Sequence, residues 1–408
     1  MTNTTAEARK GLVEFTGGRQ EMLGIILRGY ALMIPTIGLF RFWQSTWKRR
    51  FYWQNTVIDG EPIEYTGTAS QLLLGFFFAL AFFLPIYVAF FVLSMQEIDY
   101  VLIGYAAAGA LIWFMAGYAI YRARDFRLSR TLWRGIRFDL RGSAFGYAVR
   151  RFSWSIAMVA TLGLIYPWMG SSLWRYRWNH TWYGDRKFEI KGNWRTIAGP
   201  YYGAYILNVL AIVATFGWIT STGDFAVFGG LTVPGPIGLG FCAGCVLVFA
   251  FTLAFYRTRV ASGMLSTVSA GDARLTVKIP AGALFTQFIL YVFAVLGLLI
   301  LLGLTALLAI GGIYAAAAAG GQTPDVKAML SMFQSGTTNV VLLIVAYLIV
   351  LGAFGMLAEL ILAYGWWKLL VRGATITNPD SLHSVKATAE DKSLVGQGLA
   401  DALNVGAY

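Results

Sequence analysis

The sequence predicts an all-α polytopic membrane protein with internal repeats: six to eight apolar segments, two of them re-entrant or broken, plus a small cytoplasmic β-rich cap. Three observations lead there. Of 408 residues, 57 % are hydrophobic and only 13 % charged, with mean hydropathy +0.62; a soluble domain carries about 25 % charged residues. Apolar segments close to the roughly 20 residues that cross hydrocarbon recur through the chain and leave no room for a large soluble catalytic domain. Five basic, aromatic stretches resemble one another, each at the end of an apolar segment. Such self-similarity sets the architecture before any local detail does.

The segments fall at 22–40, 72–94, 101–121, 153–173, 201–222, 238–255, 283–313 and 340–365. They divide the chain into a first repeat at 11–142, a second at 143–280, a partial third at 281–372 and a tail at 373–408. Arg and Lys crowd the connections at 41–50, 122–151, 175–195, 256–278 and 366–372, whereas 95–100 and 223–237 have none and 314–339 has only Lys327. By the positive-inside rule the basic connections and both termini are cytoplasmic. The net charge of +12 hugs helix ends, where basic side chains snorkel to anionic headgroups, so nucleic acid is not the expected partner. No secretory signal pattern opens the sequence.

Segments 72–94 with 101–121, 201–222 with 238–255, and 283–313 with 340–365 form hairpins that start and finish on the basic side. Segments 22–40 and 153–173 differ, because basic residues flank both ends. Each also carries a proline and glycine: Pro35 with Gly38, and Gly163 with Pro167. Proline removes a backbone donor and glycine permits a sharp turn. Two helix pairs that dip in and return explain the charge pattern; eight ordinary spans with an imperfect charge rule are the alternative. Broken helices at membrane depth persist only under cover of protein or water.

The basic connections alternate like strands. Residues 56–65 around Asp59-Gly60, and 181–191 around Gly184-Asp185, predict short hairpins; 137–142 and 275–279 supply further strands. Brought together by the bundle, they form the cap. In 314–339, Val326, Met329, Leu330 and Phe333 stand at the spacing of a short amphipathic helix. The tail after Gly373 is polar until 394–403.

Phe15-x-Gly17, Glu21, Thr36-Ile37-Gly38, Phe42-Trp43, the run Arg49-Arg50-Phe-Tyr-Trp-x-Asn55-Thr56 and Glu64-Tyr65-x-Gly67 together resemble the YjgN-like family of bacterial inner-membrane proteins. Thr161-Leu-Gly-Leu-Ile-Tyr-Pro-Trp168, Arg175-x-Arg177-x-Asn179-x-Thr181, Phe188-Glu189 and Gly396-x-Gly398-Leu-Ala-Asp401 extend the likeness to nearly the whole chain. The resemblance implies a bacterial cytoplasmic membrane and brings no catalytic residues. In the first copy Arg41-Phe-Trp stands where the family commonly has a Tyr-x-x-Trp run.

Acid–base equipment is scarce. His180 and His383 are the only histidines and lack metal-ligand spacing. No nucleophile set, phosphate loop or zinc pattern appears, so no cofactor, no metal and no enzyme activity are expected. Cys242 and Cys245 sit three apart within an apolar segment; small packing residues are the expected reading, with a redox or metal pair as the alternative. Ionisable and polar groups inside apolar segments are the path candidates: Arg28, Glu359 and Asn208, with an Arg28–Glu359 pair neutralising both charges. Pro35, Gly38, Gly163 and Pro167 mark the broken helices. Arg49, Arg50, Trp53, Asn55, Trp174, Arg175, Arg177, Trp178 and Asn179 are headgroup or ligand candidates, because Arg gives bidentate contact and Trp stacks; an interfacial aromatic belt is their plainer explanation. The expectation is a transporter or channel-type protein for a small solute or lipid, with anionic membrane lipids and further copies of itself as partners. The alternative is a non-transporting scaffold that holds lipid or partner proteins through its basic cap.

Overall fold

The structure is a computed structural model that describes residues 10–93, 95, 98–228, 231–319 and 337–388. The chain divides into two compact units, Met1–Ala283 with Trp367–Tyr408, and Leu284–Trp366.

One local grammar builds the first unit: a helix ends in an aromatic, basic turn, a Thr closes it, and a two-residue hairpin follows. The helices α1 (Arg19–Met33), α2 (Arg41–Gln54), α3 (Ala69–Leu93), α4 (Ile98–Ser129), α5 (Ala144–Ala160), α6 (Tyr166–Asn179), α7 (Trp194–Thr222) and α8 (Pro236–Leu265) supply its α-structure. At the ends of α2, α4 and α6 the hydroxyls of Thr56, Thr131 and Thr181 donate to the carbonyls of Tyr52, Arg127 and Arg177 at 2.7–2.8 Å. Each bond satisfies a carbonyl that the helix terminus leaves open, which explains the recurring Thr in the repeat.

The strands are β1 (Lys10–Phe15), β2 (Thr56–Ile58), β3 (Glu61–Pro62), β4 (Glu64–Tyr65), β5 (Thr131–Trp133), β6 (Ile136–Leu140), β7 (Thr181–Tyr183), β8 (Arg186–Ile190), β9 (Phe225–Phe228), β10 (Leu231–Pro234), β11 (Val268–Ala270), β12 (Ala273–Val277) and β13 (Ala374–Thr377). Apart from β9–β10, four hairpins close over two residues each, pairing Ile58 with Glu61, Trp133 with Ile136, Tyr183 with Arg186 and Ala270 with Ala273. Asp59-Gly60 and Arg134-Gly135 both take positive φ throughout, the geometry that matches strand twist in a tight hairpin. The fifth hairpin is split: β13, after the last helix, pairs with β1 near the start of the chain, Lys10 opposite Thr377.

All strands except β9 and β10 join one eleven-stranded antiparallel sheet in the order β3-β2-β1-β13-β12-β11-β8-β7-β6-β5-β4. Its two ends, β3 and β4, are separated only by Ile63, whose amide donates to Thr56 at 3.0 Å. The stretch 61–65 thus pairs with β2 on one side and β5 on the other, and the sheet returns on itself like a barrel. Closure removes the edge strands that otherwise invite aggregation. The expected small cap is therefore corrected to a large, barrel-like sheet. The strands foreseen at 56–65, 137–142, 181–191 and 275–279 belong to it; β1, β5, β11, β13 and the closure were not foreseen. Trp133, Tyr183, Ala270 and Ala273 fill its interior together with Leu382 and Val385 from the segment that follows β13.

Among the described residues, six helices are long and apolar enough to cross a membrane: 69–93, 101–129, 194–222, 236–265, 281–308 and 344–372. Segments 22–40 and 153–173 are not among them. A turn cuts segment 153–173 into the helical hairpin α5–α6, and segment 22–40 ends in the matching turn, which leads into α2 and makes the hairpin α1–α2. The pair of turns is superimposable in its bonds. Gly38 and Gly163 donate to Met33 and Met158 at 2.8 and 2.7 Å, and Thr36 and Thr161 donate their hydroxyls to Leu32 and Ala157 at 2.7 and 2.8 Å. Ile37-Gly38 and Leu162-Gly163 share positive φ. A shift of 125 residues carries Gly38 onto Gly163, Glu64 onto Glu189 and Gly67 onto Gly192, so the two turns coincide in bonding as well as in sequence position.

The second unit holds most of the helix Ala281–Ala319 and the helix Thr337–Ala358, which runs into a π-helical turn at Glu359–Ala363. Gly365 packs against the Gln287 side chain, where a Cβ would collide. Residues 326–333 and 394–403, expected as an amphipathic helix and a renewed apolar stretch, lie outside the described residues, as do parts of 95–100 and 223–237.

Candidate functional site

The tip of the α5–α6 hairpin docks on α7. Three tyrosines of α7 reach its turn: Tyr201 donates to the carbonyl of Gly163 at 2.8 Å, Tyr202 to Leu164 at 2.7 Å and Tyr205 to Leu162 at 3.0 Å. The helix break frees these carbonyls, and a carbonyl with no donor costs several kcal/mol in hydrocarbon, roughly. The hydroxyls supply the missing donors. At the same places in the first repeat, 125 residues earlier, stand Phe76, Phe77 and Leu80, which can donate nothing. There Ile37 is 94 % exposed. The two repeats share a backbone device, and only the second is tethered by these tyrosine bonds.

Beside this tether, between α7 and α8, runs a groove of about 580 Å³ lined by Tyr166, Tyr201, Tyr205, Asn208, Thr252 and Tyr256 with Ile212, Cys245 and Phe249. Its volume is that of a small-molecule site. Tyr166 and Tyr201 stack at 4.8 Å between centroids, and the Tyr256 hydroxyl donates to that of Tyr166 at 3.0 Å. The Asn208 amide donates to the Thr252 hydroxyl at 2.8 Å, and Cys245 bonds to the Ala211 carbonyl at 3.3 Å. Polar atoms thus cluster toward one end, while Val209, Ile212, Val246 and Phe249 leave apolar surface exposed. From Tyr201 to Ile212 the groove follows α7 for about 16 Å.

A second, interior cavity of about 220 Å³ lies within the sheet, lined by Trp133, Phe138, Tyr183, Phe188, Ala270, Ala273 and Leu382, with Arg124 and Trp178. The Arg124 guanidinium sits over the Trp178 ring at 5.0 Å. Burial pushes the Tyr183 phenol up to about 12; its hydroxyl donates to the Trp133 carbonyl at 3.0 Å.

The residues singled out from sequence have mixed placements. Asn208 lines the groove and Trp178 the interior cavity. Gly163 and Pro167 belong to the tethered break, Pro35 and Gly38 to the other one. Arg28 lies on the exposed face of α1, and Glu359 opens the π-helical turn. Several headgroup candidates tie helix ends to the sheet. Trp53 donates to Thr131 at 2.8 Å and stacks on Trp367; Asn55 donates to the Phe51 carbonyl; Asn179 accepts from the Ile190 amide at 3.1 Å. Arg49 reaches the Tyr65 hydroxyl, Arg50 reaches the Gly67 carbonyl from an exposed position, and Arg177 lies over Trp174. Arg175 is exposed. Sequence reasoning missed Tyr201, Tyr202, Tyr205, Arg124 and Trp133. Setting 201–205 against 76–80 would have found the tyrosines.

No curated protein and no solved structure matches the chain. Residues 10–402 match a family of bacterial proteins of unknown function, DUF898. That span is nearly the whole sequence, and with the repeated Thr-x-Gly breaks and Trp–Arg helix ends it establishes that this chain belongs to the YjgN-like, DUF898 family of bacterial proteins.

Proposed function

We propose that this is a non-enzymatic, multi-pass protein of the bacterial cytoplasmic membrane that binds membrane lipid in the groove between α7 and α8. One acyl chain lies along Ile212, Val246 and Phe249, and the polar glycerol region meets Tyr166, Tyr201, Tyr256 and Asn208. The observation that carries this is the groove itself: apolar and exposed along most of its length on two helices suited to crossing a membrane, with hydroxyls and one amide gathered toward one end. At that depth lipid is the solvent, and an amphiphile matches such a gradient.

The charge pattern supports the orientation. With six spans, the positive-inside rule favours a cytoplasmic position for the basic connections, and with them for both termini and the sheet. The hairpins α1–α2 and α5–α6 then enter the inner leaflet from that side and return, with apolar tips at Ile37 and Leu162. Solute transport calls for a polar path. The groove lining is mostly apolar, with Val209, Ile212, Val246 and Phe249 exposed, which favours lipid as the occupant within the transporter-or-lipid class. Anionic headgroups meet Arg50 and Arg175 at the exposed ends of α2 and α6.

The test uses a phospholipid with a photoactivatable group midway along one acyl chain, incorporated with the full-length protein in nanodiscs. Cross-links should map to 205–212 and 245–253, and Ala211→Trp, which fills the groove, should remove them at unchanged thermal stability. Cross-links spread evenly over all six spans would refute the groove.

A further inference from the structure

We infer that the cavity inside the barrel-like sheet is a second binding site, for a small amphiphilic monoanion: a carboxylate on a medium-length apolar body. Two donors line it, and neither has a hydrogen-bond acceptor. The Nε of Arg124 is buried without a partner, and so is the Nε1 of Trp133, a residue only 2 % exposed. A buried polar group with no partner costs about 1–3 kcal/mol, more when charged, so two such groups on residues that line one cavity require an explanation.

The charge around Arg124 sharpens the case. Arg127 follows it by one turn of α4, and Arg177 stands on α6 one turn before the Thr181 that lines the cavity. The adjacent carboxylate, Asp125, pairs with Arg122 at 3.0 Å. Tyr183, an ionisable group that could carry negative charge on the cavity wall, stays protonated to about pH 12 because burial disfavours its anion, so it cannot serve as the counter-charge. Arg274 of β12 adds a further positive group to the lining. An anion is the missing partner, and a guanidinium offers a carboxylate two parallel N–H donors.

The remaining wall selects the body of the ligand. Ile58, Phe138, Phe188, Ala270, Ala273, Leu275 and Ile376 are apolar, and about 220 Å³ is far above the ~10–15 Å³ that admits a single water. Inorganic phosphate would leave this surface uncovered, and an alkane would leave the two donors unmet. Leu382 also lines the cavity. It belongs to the segment 379–388 that crosses the sheet, where Asp185 and Lys386 exchange backbone and side-chain bonds at 3.1 and 3.2 Å and Arg141 donates to Thr388 at 3.0 Å. Leu382 thus places this segment against one wall of the cavity.

The experiment is calorimetric titration of octanoate, and of 1-octanol as its neutral counterpart, into full-length protein in nanodiscs, with empty nanodiscs subtracted. One saturable octanoate site per chain is expected, with octanol at least tenfold weaker. Arg124→Gln should weaken octanoate at least tenfold and erase the preference over octanol, while Arg124→Lys keeps most of it. Trp133→Phe, which keeps the ring and loses the N–H, should weaken octanoate a few fold. If Arg124→Gln does not fold, Ala273→Leu fills the cavity with Arg124 in place and should abolish binding. No saturable octanoate binding, equal binding of octanol, or full affinity in Ala273→Leu would overturn the proposal.

Discussion

Replacing Tyr201, Tyr202 and Tyr205 together by Phe converts the tether of the second hairpin toward the state of the first repeat. Rings and stacking are kept, including Tyr201 on Tyr166, and three O–H donors are lost. Each bond is worth about 1 kcal/mol net. The sum is about 3 kcal/mol, toward the upper end where lipid rather than water surrounds the turn, since nothing else replaces the donors. That energy holds one local element, so it should appear as local opening rather than global unfolding. At about 1.4 kcal/mol per factor of ten, amide exchange at 161–165 should rise on the order of a hundredfold, measured by hydrogen–deuterium exchange in nanodiscs. Tyr201→Phe alone should give most of one tenfold step. Residues 36–40, which have no tyrosine bonds to lose, should not change. Protection at 161–165 unaltered within twofold in the triple variant would refute the assignment of these bonds as the tether.

Other expectations are simpler. Gly38→Leu and Gly163→Leu both place a side chain at positive φ, a cost of roughly 1–2 kcal/mol. At Gly163 a Cβ also meets the Tyr201 hydroxyl at 3.1 Å, whereas Gly38 is open; Gly163→Leu should therefore lower thermal stability more, and should alone displace cross-linked lipid. With Cys242 and Cys245 replaced, Ile98→Cys and Phe228→Cys should label from the outer face and Asp185→Cys should not; labelling at 185 would end the topology. The Tyr183 phenol is raised by burial to about 12 from an ordinary value near 10. Its protonated form contributes stability that is present below pH 10 and lost as pH climbs toward 12, so alkaline unfolding should begin in that window and move higher in Tyr183→Phe.

Much of this architecture was legible because it is local. Apolar length marked the six crossing helices, Asp59-Gly60 marked a hairpin, and the matched Thr-x-Gly triplets marked two breaks that the structure realises bond for bond. The closure of the sheet was not legible. It depends on Lys10–Leu12 meeting residues 375–377, more than 360 positions apart, and nothing in a short strand names a partner that distant. The functional residues were hidden for another reason. Arg124 sits in Tyr-Arg-Ala-Arg, indistinguishable by type from arginines that snorkel, and only the folded sheet separates it from water. Trp53, Asn55 and Asn179 drew attention as ligand groups, yet they have protein partners at the junction of helix and sheet: the Thr131 hydroxyl, the Phe51 carbonyl and the Ile190 amide. The tyrosine tether was visible in principle: two repeats that share a strained turn and differ at Tyr201-Tyr202-x-x-Tyr205 mark the copy that has been specialised.

The most direct measurement of the lipid-binding account is a high-resolution structure of the full-length protein in a lipid nanodisc, inspected between 201–212 and 245–256. Continuous rod-shaped density along Ile212, Val246 and Phe249, widening beside Tyr166 and Asn208, is the predicted result. A groove filled by a chain of ordered waters, or closed by direct contact of α7 and α8, would contradict it.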